Sequence, residues 1–221
     1  MSLDHRLPVI CLVTDRRRLA GSADDVEGLL TFIESAVEAG VDLVQIREPD
    51  LSSCVLYDLA RRAVRSAAGT ATRILLNDRV DVALAAGAAG VHLKSLSIPA
   101  KRVRALVPSS WIVGCSVHNV SEASQAVAAG AIDYLIAGTV FETTSKPGQS
   151  PIGLGALKQI AHAVEVPTLA IGGVTVRRAG LVGRAGAAGL AAIGEFVAGH
   201  ELGRLVRGFR LEFDNGRSPL V

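Results

Sequence analysis

The stretch 85–93 reads AAGAAGVHL, in which small residues, a glycine and an apolar run follow one another. The same pattern returns as EAGVDLVQI at 38–46, AAGAIDYLIAG at 128–138 and RAGAAGLAAIG at 184–194. Each copy has a glycine where a helix would end, because glycine readily adopts the left-handed conformation that closes a helix. These glycines are Gly40, Gly87, Gly130 and Gly186, spaced 47, 43 and 56 residues apart. Each spacing fits about two strand–helix units, so the repeat predicts strands 2, 4, 6 and 8 of an eight-unit array.

Apolar runs between these copies complete the array. They are aliphatic or β-branched without polar alternation, which is typical of parallel strands covered on both faces. We expect strands near 9–14, 42–46, 73–76, 89–93, 111–116, 133–138, 167–171 and 188–193. Segments with a helical period lie between them, for example 24–39, 52–67, 121–129 and 153–163. Eight such units predict a compact (β/α)₈ TIM barrel.

A doubly wound sheet is the alternative architecture. It would usually carry a glycine-rich phosphate loop after its first strand, whereas this chain has TDRRRLAG at 14–21. We therefore expect one TIM-barrel domain over 1–221, with the barrel at about 9–208. The polar end, 209–221, is predicted to be a loose tail.

The composition of the chain gives no indication of a nucleic-acid or membrane partner. The 221 residues include 23 basic and 21 acidic side chains, and a net charge of +2 gives no electrostatic reason to expect nucleic acid or a membrane surface. No apolar run approaches the ~20 residues that span a bilayer. Cys11, Cys54 and Cys115 are far apart, which fits a reducing compartment better than a disulfide framework or a zinc site. We expect a soluble, cytoplasmic protein.

Candidate site residues follow the strands, because barrel active sites lie at the carboxyl ends of their strands. The residues on or just after the predicted strand ends are mostly polar or glycine. They include Gln45, Arg47, Asn77, Asp78, Lys94, His118, Glu142, Thr143, Ser145, Lys146, Gly172, Gly173, Ile193 and Gly194. Such a collection suits a small anionic ligand.

The segment AIGGVT places Gly172 and Gly173 after strand 7, and Ile193 leads into Gly194 after strand 8. Glycine N–H groups approach an anion closely, and a helix N-terminus favours negative charge. A lone Gly-Gly pair would indicate only a turn. This placement, however, matches the phosphate site that many barrels build after strands 7 and 8.

Three basic side chains leave alternatives open. His118 ends strand 5, where it is either a general acid–base group or a histidine satisfied by a backbone carbonyl. His92 alternates with its apolar neighbours in strand 4 and is predicted to be a packed structural side chain. Lys146, in a long loop after strand 6, fits a functional lid and a solvated lysine equally well.

Six motifs together resemble one family. They are LVTDRR (12–17), VQIREPD (44–50), LLNDRVDVALAAGAAGVHL (75–93), GCSVHNVSEASQA (114–126), DYLIAGTVFETTSK (133–146) and VPTLAIGGVT (166–175). In this order they resemble the thiamine-phosphate synthase superfamily, from about residue 9 to 198. The resemblance implies a TIM barrel, a thiazole phosphate as small-molecule partner and a possible homodimer.

Two activities are known in this superfamily. Thiamine-phosphate synthase joins a pyrimidine diphosphate to a thiazole phosphate and releases diphosphate, with magnesium. The TenI-type thiazole tautomerase aromatises a carboxythiazole phosphate by moving a proton, without metal. The resemblance implies catalytic roles for His118 and Glu142, phosphate binding by Gly172, Gly173, Ile193 and Gly194, and substrate contacts by Gln45, Arg47, Asn77, Asp78, Lys94, Thr143, Ser145 and Lys146.

Three departures from the synthase pattern favour the tautomerase. The synthase's Arg-Glu-Lys after strand 2 ends in Pro49 here, so the lysine that would meet the diphosphate is missing. Its Gly-Gln-Glu-Asp loop after strand 4, whose aspartate holds magnesium, is replaced by the segment 94–97, KSLS. Glu142 stands where the synthase has proline, as it does in the tautomerases.

We therefore expect Lys94 to pair with Asp78 in the metal's place, and no cofactor. A divergent synthase, with magnesium on Asp78, is one alternative. A barrel that binds a thiazole phosphate without turnover, as a regulator, is the other.

Overall fold

The computed structural model contains eight parallel strands that close into a barrel. It describes residues 7–19, 25–94, 96–143, 148, 150–199 and 201–217. The strands are β1 (Val9–Val13), β2 (Leu43–Ile46), β3 (Arg73–Asn77), β4 (Gly90–Leu93), β5 (Ile112–Val117), β6 (Tyr134–Gly138), β7 (Thr168–Ile171) and β8 (Gly189–Ala192). Each strand pairs with the next one in sequence, and β8 pairs with β1. The predicted (β/α)₈ TIM barrel is confirmed.

Helices follow the strands around the outside of the barrel. They are α1 (Val26–Glu38), α2 (Ser53–Ser66), α3 (Val80–Ala86), α4 (Ala100–Arg104), α5 (Val120–Ala128), α6 (Gly153–Ala163), α7 (Val176–Arg184), α8 (Gly194–Val197) and α9 (Leu202–Arg217), with a short 3₁₀ helix at Arg16–Arg18. The four repeat glycines all have positive φ angles, between 63° and 85°, as the repeat predicted. Across the described ranges, no helix is both long and apolar enough to cross a membrane.

Apolar side chains form two packed layers. Along β1, Ile10 and Leu12 point outward and join the layer between strands and helices. Cys11 points inward with Tyr134 and Ile136 of β6, and these residues belong to the layer that fills the barrel interior. This inner layer forms a floor beneath the carboxyl ends of the strands.

The carboxyl-terminal segment is not a loose tail, so that prediction is wrong for most of its length. Helix α9 buries Phe209 and Phe213 completely. It packs closely on α7, where a Cβ atom on Gly216 would lie 2.0 Å from the carbonyl oxygen of Gly180. Its buried residues recur every three or four positions, a helical period that the polar composition of the segment concealed. Residues 218–221 lie outside the described part.

Candidate active site

A cavity of about 420 Å³ opens at the carboxyl ends of the strands. Eleven of the predicted site residues line it: Gln45, Arg47, Asn77, Lys94, His118, Glu142, Thr143, Gly172, Gly173, Ile193 and Gly194. Asp78 lies beside it, in contact with Lys94. Ser145 and Lys146 lie outside the described residues. The barrel thus brings together side chains that are up to 149 positions apart in the sequence.

Asp78 forms an ion pair with Lys94 at the edge of this cavity. The Lys94 Nζ lies 2.5 Å from Oδ2 of Asp78, and the hydroxyl of Ser97 contacts the other carboxylate oxygen. Burial on its own raises the pKa of Asp78, but hydrogen bonds from Lys94 and Ser97 outweigh it, and the pKa falls below its usual range. The carboxylate is therefore charged and already engaged by its neighbours.

The groups around Asp78 do not fit a magnesium site. Magnesium is held by oxygen ligands, usually one or two carboxylates together with substrate phosphate oxygens. Here one oxygen of the carboxylate meets an ammonium group and the other a hydroxyl. Within the part of the chain that the structure describes, no three His, Cys, Asp or Glu side chains are grouped so as to hold a metal ion.

A line of amides continues from Asp78 into the cavity. Asn77 Nδ2 lies 3.4 Å from Oδ2 of Asp78, and Gln45 Nε2 donates to Asn77 Oδ1 at 3.0 Å. Because the carboxylate accepts only, these contacts orient both amides. Among the residues that the structure describes, the buried Oε1 of Gln45 has no hydrogen-bond partner.

Arg47 is held at the cavity wall by a network that links the loops after β1 and β2. The Thr14 hydroxyl accepts from the Arg47 backbone N–H at 2.9 Å and donates to Glu48 Oε1 at 2.7 Å. The guanidinium of Arg16 binds Glu48 at 2.9 Å and Asp50 at 2.6 Å. The hydrogen bond from Arg16 lowers the pKa of Asp50 to about 2. Among the described residues Arg47 itself forms no ion pair, which leaves its charge for an anionic ligand.

Replacing Glu48 with glutamine should lower the free energy of unfolding by about 2 kcal/mol, because it removes the buried carboxylate that binds Arg16 while the pair with Asp50 remains. Urea denaturation measures the loss. The control is Glu27→Gln, which breaks an exposed pair with Arg62 and should change stability little. Equal losses of unfolding free energy in Glu48→Gln and Glu27→Gln would mean that the buried Glu48 network contributes no more stability than an exposed ion pair.

His118 is oriented by a carboxylate that sequence reasoning missed. Glu122 Oε2 accepts from the His118 backbone N–H and lies 2.9 Å from its Nδ1. Burial alone raises the pKa of Glu122, but the hydrogen bonds from His118 outweigh it and lower the pKa. Since Nδ1 is occupied by Glu122, Nε2 is the ring nitrogen left for a ligand.

The sequence contains a helix-capping motif that could have identified Glu122 as a neighbour of His118. Asn119 caps α5 by accepting from the Glu122 N–H at 2.9 Å, and its own amide donates back to Glu122 Oε1 at 2.7 Å. Asn-x-x-Glu before a helix is a variant of the capping box, in which the carboxylate turns back toward the residues ahead of the helix. Here that turn brings it to His118. Glu142, the other predicted catalytic residue, lies on the exposed rim of the cavity.

Gly172 and Gly173 form a bend with positive φ angles of 96° and 61°. A Cβ atom on Gly173 would lie 2.3 Å from the carbonyl oxygen of Glu142, so no other residue fits without moving the loop. The carbonyl of Gly172 accepts from the Phe141 N–H at 3.0 Å. The N–H groups of Gly172 and Gly173 have no backbone acceptor among the described residues. Free N–H groups at such a bend suit an anion.

Arg178 and Glu195 also line the cavity, although neither was predicted as a site residue. Arg178 donates to the carbonyl of Gly173 at 2.7 Å and lies over the ring of Phe141, 4.8 Å from its centroid. Glu195 accepts from the backbone N–H of Val176 at 3.1 Å, at the start of α7. The carboxylate therefore satisfies a helix N-terminus. Arg178 was missed because it lies within α7, away from any strand end.

His92 is packed as predicted, and it also reaches the cavity. Its Nδ1 lies 3.0 Å from the hydroxyl oxygen of Tyr134, and its Nε2 lies 2.8 Å from the hydroxyl oxygen of Ser116. Burial lowers the pKa of His92 to about 4, against a smaller opposite effect of Asp78. The ring is therefore neutral at physiological pH.

A closed parallel barrel with a polar cavity at its strand ends and a glycine bend after β7 defines a TIM-barrel enzyme with a small-molecule site. Residues 10–196 match the family described as thiamine monophosphate synthase (TMP-TENI), and the chain belongs to this family of thiamine biosynthesis. The predicted resemblance is confirmed at the level of the family.

The names of individual relatives are consistent with this family. The chain is 39% identical to a thiamine-phosphate synthase of Roseiflexus castenholzii, over 84% of this chain and 79% of the relative. It is 40% identical to a putative thiamine-phosphate synthase of Geobacter sulfurreducens, over 85% of each chain. The structure of a thiamine phosphate pyrophosphorylase from Pyrococcus furiosus superposes with a TM-score of 0.81 at 29% identity, over 96% of this chain and 98% of the other. These names favour the synthase over the tautomerase.

Proposed function

We propose that the chain is a thiazole tautomerase, an isomerase that aromatises a carboxythiazole phosphate by proton transfer. The observation that carries the proposal is the contact between Lys94 and Asp78. A synthase of this family needs the aspartate after β3 for magnesium, and here an ammonium group lies 2.5 Å from it. In a synthase, the positive charge of magnesium would stabilise the departing diphosphate. Here an internal ion pair takes the place of that charge.

The opposite side of the cavity supports binding of a monophosphate. The bend at Gly172 and Gly173 offers N–H groups, and Gly194 begins α8 after β8. A phosphate there gains hydrogen bonds from backbone N–H groups. Arg178 adds a positive charge beside the same bend. This phosphate would fix one end of the thiazole and leave its ring toward the centre of the cavity.

His118 is suited to the proton transfer itself. Aromatisation removes a proton from a ring carbon and delivers one to the exocyclic carbon, so nothing is gained or lost overall. With Nδ1–H donated to Glu122, Nε2 of the neutral ring carries the lone pair that accepts the proton. The carboxylate then stabilises the imidazolium until the proton is returned. Glu142, on the rim, is the candidate for orienting His118 or for one of the two transfers.

The second candidate is a thiamine-phosphate synthase, and the names of the relatives favour it. The two reactions differ in substrate, product and metal requirement. The purified protein is therefore assayed in two ways: with pyrimidine diphosphate, thiazole phosphate and magnesium, and with the non-aromatic carboxythiazole phosphate and a chelator. We expect turnover only in the second assay. Turnover only in the first establishes the synthase, and binding without turnover in either indicates a regulator.

Replacing both Lys94 and Ser97 with aspartate should raise the affinity for magnesium at least tenfold, because it surrounds Asp78 with further carboxylates. A unit charge about 4 Å away contributes roughly 4 kcal/mol at an effective dielectric constant of 20. Calorimetric titration with magnesium chloride measures the change. The matched control is Lys94→Met with Ser97→Ala, which removes the ammonium without adding carboxylates. If the unchanged protein already binds magnesium as tightly as the aspartate variant, the ion pair does not replace the metal.

A further inference from the structure

Tyr134, His92 and Ser116 form a line of polar groups across the floor of the cavity, and the proposed reaction leaves it unexplained. The phenol oxygen lies 3.0 Å from Nδ1 of the imidazole, and Nε2 lies 2.8 Å from the serine oxygen. Tyr134 is completely buried and His92 is 2% exposed, whereas Ser116 lines the cavity. The line thus runs from the barrel interior to the cavity.

Gly114 provides the space that the ring of Tyr134 occupies inside the barrel. The ring of Tyr134 lies against Gly114, where a Cβ atom would come 2.1 Å from the ring carbon Cζ. Any side chain larger than that of glycine at this position would collide with the ring of Tyr134. Tyr134 and His92 also pack with their ring centroids 5.6 Å apart. The position of the phenol oxygen opposite Nδ1 is therefore set by packing.

The direction of each hydrogen bond follows from the buried phenol. Within the described residues, the hydroxyl of Tyr134 has only His92 as a partner. A buried O–H donor without an acceptor is costly, so the phenol donates to Nδ1. The neutral ring then carries its proton on Nε2 and donates to Ser116. Because its oxygen accepts this bond, the hydrogen of the serine hydroxyl is free to point into the cavity.

Both rings keep the protonation state that this direction requires. Burial raises the pKa of Tyr134 well above its usual value, so the phenol stays protonated. Burial keeps His92 neutral, as described above. The direction of the line therefore does not change over the pH range in which enzymes of this kind operate.

We propose that Tyr134 and His92 are positioning residues that hold Ser116 as a hydrogen-bond donor toward the bound ligand. A hydroxyl held in this way suits an acceptor such as a carboxylate or phosphate oxygen and disfavours an N–H group. The inference rests on the proposed function only in assigning an anionic ligand to the cavity. The direction of the hydrogen bonds is a property of the protein without any ligand.

Nitrogen-15 NMR of the imidazole groups tests the direction without any assay. The resonances of His92 are identified as those lost in His92→Gln. We expect the unchanged protein to show Nδ1 as the unprotonated nitrogen of His92 and Nε2 as the protonated one. The opposite tautomer, or a charged ring at neutral pH, overturns the proposal.

Tyr134→Phe removes only the phenol oxygen and keeps the ring that packs on Gly114. We expect His92 in this variant to become a mixture of tautomers, because Nδ1 has lost its donor. The chain provides a matched control in Tyr57→Phe, since Tyr57 is exposed on α2 and is the only other tyrosine. A single unchanged His92 tautomer in Tyr134→Phe would show that the phenol does not set it.

Kinetics distinguish positioning from simple packing, using whichever reaction the purified protein catalyses. Ser116→Ala should lower kcat/KM about tenfold, the effect of one hydrogen bond to a charged group. Tyr134→Phe should lower it by a smaller factor, because part of His92 keeps the tautomer that donates to Ser116. The double variant should be no slower than Ser116→Ala alone, because the two changes remove the same interaction. If the loss of kcat/KM in the double variant is the product of the two single losses, Tyr134 acts through packing and not through Ser116.

Discussion

Replacing His118 with glutamine should lower kcat for the aromatisation by about 10²–10⁴, the usual loss when a positioned general acid–base group is removed. The Kd for a thiazole phosphate should remain nearly unchanged, because the proposed phosphate contacts come from other loops, after β7 and β8. Glutamine keeps a similar volume and a polar group, so the cavity keeps its shape. Single-turnover kinetics measure the chemical step, and calorimetry measures binding.

Two further variants test whether the loss of kcat is specific to His118. Glu122→Gln keeps His118 but replaces the charged acceptor on Nδ1, so kcat should fall by less than in His118→Gln. His162→Gln changes an exposed histidine of α6 that does not line the cavity, and it should leave kcat unchanged. Near-normal turnover in His118→Gln would remove this residue from the mechanism and direct attention to Glu142.

Replacing Gly194 with aspartate should weaken binding of a thiazole phosphate at least about 100-fold, because a carboxylate would face the phosphate at short range. This position is better suited to the test than Gly173, where any side chain collides with the loop after β6. Among the described residues, a Cβ atom on Gly194 would have only the Arg18 guanidinium within 4 Å, at 3.8 Å. Aspartate in the first turn of a helix is also favourable for folding.

Gly194→Asn provides the matched control, because asparagine has nearly the same shape without the charge. We expect its affinity for the thiazole phosphate to fall much less than that of the aspartate variant. Calorimetric titration of all three proteins with the same ligand gives the comparison. If aspartate and asparagine weaken binding equally, the phosphate does not lie at the start of α8.

Relatives about 40% identical bear the name of the synthase, whereas under the proposed function the choice of reaction depends on very few side chains. The barrel and the glycine bend after β7 require apolar strands and glycines, and under the proposed function both activities share them. Magnesium binding depends on carboxylates beside Asp78, and here Lys94 and Ser97 occupy those places. The change of charge alters the affinity for a dication without altering the fold. The proposed function therefore rests on these positions, and the assay of both reactions decides whether they outweigh the relatives' names.

The repeat of helix, glycine and apolar strand determined the barrel from the sequence alone, because glycine caps and continuous apolar strands are local properties. The location of the site followed from this, since parallel strands of a barrel place their carboxyl ends at one mouth. Most of the predicted site residues could be read from strand ends for that reason. The helix α9 was missed because its buried phenylalanines stand among polar residues.

The partners of the site residues were decided only by the tertiary structure. Glu122 reaches His118 by the turn of a helix cap, and Arg178 reaches the glycine bend from inside α7. Tyr134 meets His92 across the barrel, 42 residues away in sequence, in space left by Gly114. Spacing along a chain predicts which face a residue occupies, but not which side chain from another strand lies opposite. That pairing depends on how eight strands close and pack, which no local pattern contains.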